Sequence, residues 1–239
     1  MQPDAAPHGT PTAHTSETDP ADPTVTVAPA APGDVAAIAS VFGHAFGDYR
    51  RALGCDAPTL AALWQPFIAA RLSQWTVARV RSPKDGSSHV AAILSIALRG
   101  IPTIPVRQQV QAFRTWLDTV GGTGLLRAWY ALLPLALVYL RRPPRDDELY
   151  VSLLAVAPKH QGKRLGQVLL TEAARQARIA GCRALSLHVA ATNDRARRLY
   201  DRMGFVADVT FRPPYQGPMQ IPAFIAMRRP LGETGRADR

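Results

Sequence analysis

The stretch Pro158-Lys159-His160-Gln161-Gly162-Lys163-Arg164-Leu165-Gly166 follows an apolar strand pattern and opens a helical one. A small-residue loop at a helix start exposes backbone N–H groups that no preceding turn can satisfy. Together with the helix dipole they favour a phosphate. Lys163 and Arg164 add positive charge beside them. The spacing differs from both the G-x-x-x-x-G-K-[ST] loop and the G-x-G-x-x-G fingerprint. An ordinary strand-to-helix turn that uses glycine for geometry gives the same pattern, so the loop alone leaves both readings open.

Other groups that could do chemistry are scattered. His188 stands near the end of a predicted strand, where it could relay a proton or sit as a core histidine. Glu148 and Asp48 are candidate bases acting through water, or surface charges. Cys55 and Cys182 have no accompanying His and Asp pattern, which argues against a cysteine nucleophile and against a disulfide framework. The six histidines have no metal-ligand spacing, so no metal is expected.

Several elements must position these groups. Thr24 to Ala28 reads as a first strand, and Pro32-Gly33-Asp34 breaks the chain with Asp34 as a helix cap. Val35, Ile38, Phe42 and Ala45 then share one helical face. Phe46 to Ala57 reads as a loop, and Pro58 to Ser73 as a helix kinked at Pro66. Gln74 to Val80 and His89 to Leu98 form a hairpin around an Asp85-Gly86 turn. Residues 99–147 read as a helical insertion. The remaining pattern is a strand over Leu149 to Val156, a helix over Arg164 to Ala180 capped by Gly181, a strand over Ala184 to Val189, a short helix over Asn193 to Met203, and strands over Phe205 to Phe211 and Ile221 to Met227.

The bulk numbers agree with one domain. The chain has 239 residues, 47% of them hydrophobic and 19% charged, which is globular composition. Residues 1–23 are poor in large apolar side chains and read as a disordered tail, with a shorter tail over 230–239. The domain proper is placed at 24–229. The tail at 1–23 holds four acidic residues and no Lys or Arg, so the remainder carries about +14 of the overall +10 balance. Such a body attracts polyanions, including a phosphorylated cofactor. No nucleic-acid recognition motif appears, and no nucleic acid is expected. The apolar run Leu125 to Leu140 includes Arg127 and Pro134 and falls short of the roughly 20 residues a span needs, so no membrane contact is expected. With no secretory pattern at the start, the expected location is cytoplasmic.

Leu153-Leu154-Ala155-Val156-x-Pro158 followed by Gln161-Gly162-Lys163-Arg164-Leu165-Gly166 resembles the acetyl-CoA motif of the GNAT family. Asn193-x-x-Ala196-x-x-Leu199-Tyr200-x-x-x-Gly204-Phe205 is similar to that family's second motif. The resemblance implies a mixed α/β (α+β) fold: a mostly antiparallel seven-stranded sheet with splayed central strands, flanking helices, and the insertion before the central strand. It implies acetyl-CoA as cosubstrate, held by Leu154, Ala155, Val156, Gln161, Gly162, Lys163, Arg164, Leu165, Gly166 and Asn193. It implies Tyr200 as the acid that protonates the departing CoA thiolate. Two positions depart from the family pattern. Arg164 stands where glycine is usual, and Ser152 stands where many relatives carry a glutamate base. The implied activity is N-acetylation of a primary amine by direct attack on the thioester. The layout is similar to puromycin-type enzymes, which suggests a small aromatic or polyamine-like acceptor. A protein N-terminus or lysine, and a non-catalytic acyl-CoA-binding module, are the alternatives. A homodimer is left open.

Overall fold

The computed structural model describes residues 25–82, 85–98, 114, 116–119, 121–124, 126, 143–212 and 222–232. Seven strands form one sheet: β1 (Val25–Pro29), β2 (Trp75–Arg81), β3 (Ser88–Leu98), β4 (Glu148–Val156), β5 (Ala184–Ala190), β6 (Val206–Phe211) and β7 (Phe224–Pro230). Their spatial order is β1-β2-β3-β4-β5-β7-β6. Every neighbouring pair is antiparallel except β4 and β5. That one parallel pair needs a crossover, and α4 (Leu165–Ile179) supplies it.

Two helical layers cover the sheet. α1 (Val35–Ala45) and α3 (Ala57–Ala70) bury Ile38, Phe42, Leu60, Leu63 and Ile68 with Val77, Ile93 and Ala155. α4 buries Leu165, Leu169, Leu170, Ala173 and Ala177 with Ala78, Ala92, Leu94, Leu149 and Val151. Neighbouring strand residues Val77 and Ala78, or Ile93 and Leu94, thus serve opposite layers, as the two-residue period of a strand requires. α1 and α3 approach closely because residue 43 is glycine: a Cβ there would stand 2.3 Å from the Ala57 carbonyl oxygen.

The structure departs from the sequence reading at several points. Phe46 to Ala57 is not a plain loop: α2 (Gly47–Leu53) occupies most of it and ends at Gly54, in the left-handed region with φ 67°. Asp34 does not cap α1. Its carboxylate instead accepts from the Ala31 N–H at 2.8 Å and from Arg79 at 2.6 Å, which ties the helix entrance to β2. α3 does carry a side-chain cap: Asp56 accepts from the Thr59 N–H. β7 runs to Pro230 and Leu231 is buried, so the folded part extends past 229. Gly181 does end α4 with a positive φ of 72°. Most of the 99–147 insertion, the tail at 1–23 and the run Leu125 to Leu140 lie outside the described residues. The described part around Trp116 is helical, and that indole donates to the Leu63 carbonyl of α3.

Candidate active site

β4 and β5 pair in parallel only from Glu148↔Ala184 to Val151↔Leu187. Beyond that point they diverge, although β4 continues to Val156 and β5 to Ala190. β4 keeps its pairing with β3 on the other side, so its backbone groups facing β5 from Ser152 onward need other partners. A cavity of about 1260 Å³ opens there. The register against β3 also slips here: Ser95 faces Leu153 and Ile96 faces Val151, which leaves Ser152 as a bulge. A bulge re-aims side chains at the mouth of a site. The Ser152 hydroxyl donates to the Ser95 carbonyl at 3.0 Å and lies 2.9 Å from the Ser95 hydroxyl.

The loop after β4 forms one wall. It makes a 3-10 turn over Pro158–His160, then places Gly162 at φ 87° and Arg164 at φ 56° before α4 begins. Arg164 is the one non-glycine with positive φ among the described residues. Two left-handed residues in close succession turn a run of N–H groups onto a concave surface suited to anions. Gln161 is held in place by Arg195 of α5 (Asp194–Arg202). Gly166 also allows close packing: a Cβ there would stand 2.9 Å from Leu199 Cδ2, so a side chain would push that leucine of α5 aside.

Of the residues expected to hold the cofactor, Leu154, Ala155, Val156, Gln161, Gly162, Arg164, Leu165, Gly166 and Asn193 all line this cavity. Lys163 does not, and its side chain is exposed. Asn193 Oδ1 accepts from the Ala196 N–H at 3.1 Å and so caps α5. That leaves its Nδ2 as the group for a ligand carbonyl.

Tyr200 lines the same cavity from α5. It is 8% exposed, its ring lies 5.7 Å from that of Phe205, and burial pushes its phenol up to about 12. The group therefore stays protonated through the physiological range, as a proton donor must.

The candidate bases sort differently from their sequence reading. Glu148 is not a solvated charge: it is 0% exposed, 2.8 Å from Arg228 Nε, and accepts from the Arg145 N–H. It does not line the cavity and serves as half of a structural ion pair. Asp48 lies in α2, with its side chain outside the described residues. Cys55 and Cys182 are thiols away from the cavity lining, and burial raises the Cys55 pKa. His188 is in the cavity, and its Nδ1 stands 3.0 Å from the Tyr150 hydroxyl, which also lines it. Tyr150 was not singled out in sequence, since it reads as one more apolar strand position. Arg195 and Arg202 also line the cavity unannounced. Their signal was the run of arginines on one short helix.

A second wall is aromatic. Phe42, Phe46, Tyr49, Trp64 and Phe67 from α1, α2 and α3 line it, with ring centroids 4.6 Å apart for Phe42–Trp64 and 5.5 Å for Trp64–Phe67.

The family model for GNAT-family acetyltransferases matches residues 109–205, which take in β4, α4, β5, α5 and both motifs. The chain carries a GNAT-family acetyltransferase domain. The solved structures agree on the fold. This domain superposes on the ribosomal-protein-S18-alanine N-acetyltransferase of Escherichia coli with a TM-score of 0.51, 16% identity, and coverage of 90% of this chain and 99% of the other. A Salmonella typhimurium protein assigned as an acetyltransferase and solved with its cofactor acetyl-CoA gives 0.53, 17% identity, and coverage of 90% and 98%. Among curated proteins, the spore coat polysaccharide biosynthesis protein SpsD of Bacillus subtilis (strain 168) is 38% identical over 73 residues, which is 30% of this chain and 25% of that protein. Among the described residues of the GNAT domain, no helix is long and apolar enough to cross a membrane, and no group of three or more His, Cys, Asp or Glu could hold a metal.

Proposed function

We propose that this chain transfers an acetyl group from acetyl-CoA to the primary amine of a small molecule, by direct attack in a ternary complex. The observation that carries the reading is the meeting of the 161–166 loop, the unpaired edge of β4 and Tyr200 in one cavity. The loop N–H groups and Arg164 would take the cofactor's phosphates, with Arg195 and Arg202 nearby. The β4 edge from Leu154 to Val156 would bind the pantetheine arm and offer an N–H to the acetyl oxygen, which becomes an oxyanion on attack.

The amine nitrogen attacks the thioester carbonyl and a C–N bond forms. The C–S bond then breaks, and its electron pair leaves on sulfur. His188 takes the proton lost by the amine, in the tautomer whose Nδ1–H donates to the Tyr150 oxygen and leaves Nε2 basic. Tyr200 supplies the proton that the thiolate takes up. Ser152, where many relatives carry a glutamate, is not asked to act as a base.

The aromatic wall supports a small acceptor over a polypeptide chain, and the presence of an acid and a base in the cavity supports catalysis over mere binding. The test is a CoA-release assay over a panel of amines, with thermal-shift binding of acetyl-CoA alongside. Tyr200→Phe should lower kcat by about 100-fold or more while acetyl-CoA still binds. His188→Gln should lower kcat and change the acidic limb of the pH profile. If acetyl-CoA gives no thermal shift, the proposal fails. If it binds but no amine turns over, the binding-module reading replaces it.

A further inference from the structure

We propose that the Ser152 hydroxyl accepts the second N–H of the reacting amine and so makes this site selective for primary over secondary amines. The inference rests on the acetyl-transfer reading above. Pairing between β4 and β5 ends at Val151↔Leu187. Ser152 and His188 are therefore the first residues beyond the fork, one on each strand, and both line the cavity. They share a face of the sheet. Leu94, Ile96, Leu187 and Val189 pack in the core with α4. Ser95 and His188 alternate with them and so project to the opposite face. The Ser152 hydroxyl touches that of Ser95 and stands on that face too. Ile93 and Ala155 meet α1 and α3 there, and the aromatic wall rises on that side. Tyr200 and Leu165 belong to the α4 side. The thioester would thus enter the fork from the α4 side, and the amine from the aromatic side, between His188 and Ser152.

A hydroxyl has one proton and two lone pairs. The Ser152 proton is directed to β3, where the Ser95 carbonyl oxygen stands at 3.0 Å and the Ser95 hydroxyl oxygen at 2.9 Å. The Ser95 hydroxyl can fill at most one Ser152 lone pair in return. Ser152 is exposed, so at least one lone pair remains for the cavity, and towards the cavity this group can only accept. Ser95, 6% exposed, fixes where the Ser152 proton points. A primary amine that has attacked the thioester carries two protons on a positively charged nitrogen. His188 removes one of them. The other stays, because an alcohol oxygen is far too weak a base to take it, and becomes the N–H of the amide. That is the N–H which Ser152 receives. A secondary amine in the same place has one proton, and it goes to His188. Ser152 then faces a carbon substituent and is desolvated without a donor.

The probes are phenethylamine with N-methylphenethylamine, and glycinamide with N-methylglycinamide, in the CoA-release assay. The readout is the ratio of kcat/KM for the primary amine to that for its N-methyl counterpart, in which a general loss of activity cancels. The unaltered protein should favour the primary member of each pair it acetylates. Valine and threonine have nearly the same shape and differ by the hydroxyl. In Ser152→Val and Ser152→Ala the ratio should fall about 10-fold, the scale of one hydrogen bond to a charged donor. In Ser152→Thr it should stay within about 2-fold of the parent, because the acceptor is kept. Ser95→Ala keeps the carbonyl that takes the Ser152 proton and should keep the ratio as well. Acetyl-CoA affinity, read by calorimetry, should be unchanged throughout. If one apolar variant does not fold, the other decides; if neither folds, the ratios in the parent and in Ser152→Thr decide. The inference is overturned if the ratio survives Ser152→Val and Ser152→Ala, if Ser152→Thr loses as much as Ser152→Val, or if the parent acetylates the N-methyl amines as readily. Each of those results leaves acetyl transfer standing. No turnover of either pair also overturns this inference, and no turnover across the whole amine panel overturns acetyl transfer with it.

Discussion

Replacing Arg164 separates two effects that its position combines. Its backbone is held at φ 56° and ψ 8°, where a Cβ crowds the following carbonyl. That conformation costs an ordinary L-residue about 1–2 kcal/mol. Glycine removes the strain but gives back roughly 0.4–1 kcal/mol through the freedom of the unfolded chain. Alanine keeps the Cβ and hence the strain. The glycine variant should therefore be more stable than the alanine variant by about 0.5–1 kcal/mol. For a domain of this size that corresponds to roughly 1–4 °C in Tm, read without cofactor. Both variants lose the guanidinium. The side chain is exposed, so its contact with a phosphate contributes about 1 kcal/mol, or a factor of about five in acetyl-CoA affinity, and less at high salt. The expected pattern is divergent melting temperatures with equal losses of affinity. Equal melting temperatures for the two variants would refute the strain argument. Unchanged affinity in both at low salt would refute the phosphate contact.

Three further outcomes follow from the geometry. Glu148→Gln breaks a buried ion pair with Arg228 and should cost about 3 kcal/mol of stability in denaturant melts, while kcat of the folded variant stays near that of the parent; a large loss of kcat at full stability would restore Glu148 as a base. Gly43→Ala drives a methyl group into the Ala57 carbonyl and should destabilise by about 1–3 kcal/mol in a thermal melt, with acetyl-CoA still able to bind the folded fraction. His160 is 7% exposed and lies 2.8 Å from His89, and burial first, then His89, Lys163 and Lys159, hold its pKa below the usual 6.5. The unfolded chain then takes up the proton first as pH falls, so this stability is complete above about pH 6.5 and is lost below it as pH approaches the folded value. The fall in Tm between pH 7.5 and 5.5 should be smaller in His160→Gln; an identical fall in both proteins would count against the argument.

What could be read from the chain alone was whatever depends on neighbours in sequence. The periodicities of α1, α3, α4 and the strands come from local alternation of apolar residues, and all seven strands were located to within about three residues. The two motifs singled out the 161–166 loop and Tyr200 because each is a local pattern, one spanning the turn from β4 into α4 and the other the length of α5. Gly162, Gly181 and Gly86 announced left-handed turns because glycine adopts them freely.

What only the tertiary structure decided depends on residues far apart. Asp34 looked like a cap until Arg79, 45 positions away, took its carboxylate. Glu148 looked like a solvent-facing base until Arg228 appeared beside it in the core. The base candidate emerged only when β4 and β5 came side by side and brought Tyr150 to His188, 38 positions apart. In the sequence Arg164 is a departure from a usual glycine; the fold makes it a question of φ. The aromatic wall is likewise a property of no single segment, because α1, α2 and α3 contribute to it jointly. Local pattern reports which residues share a face, but charge pairing and cavity lining are set by which faces meet.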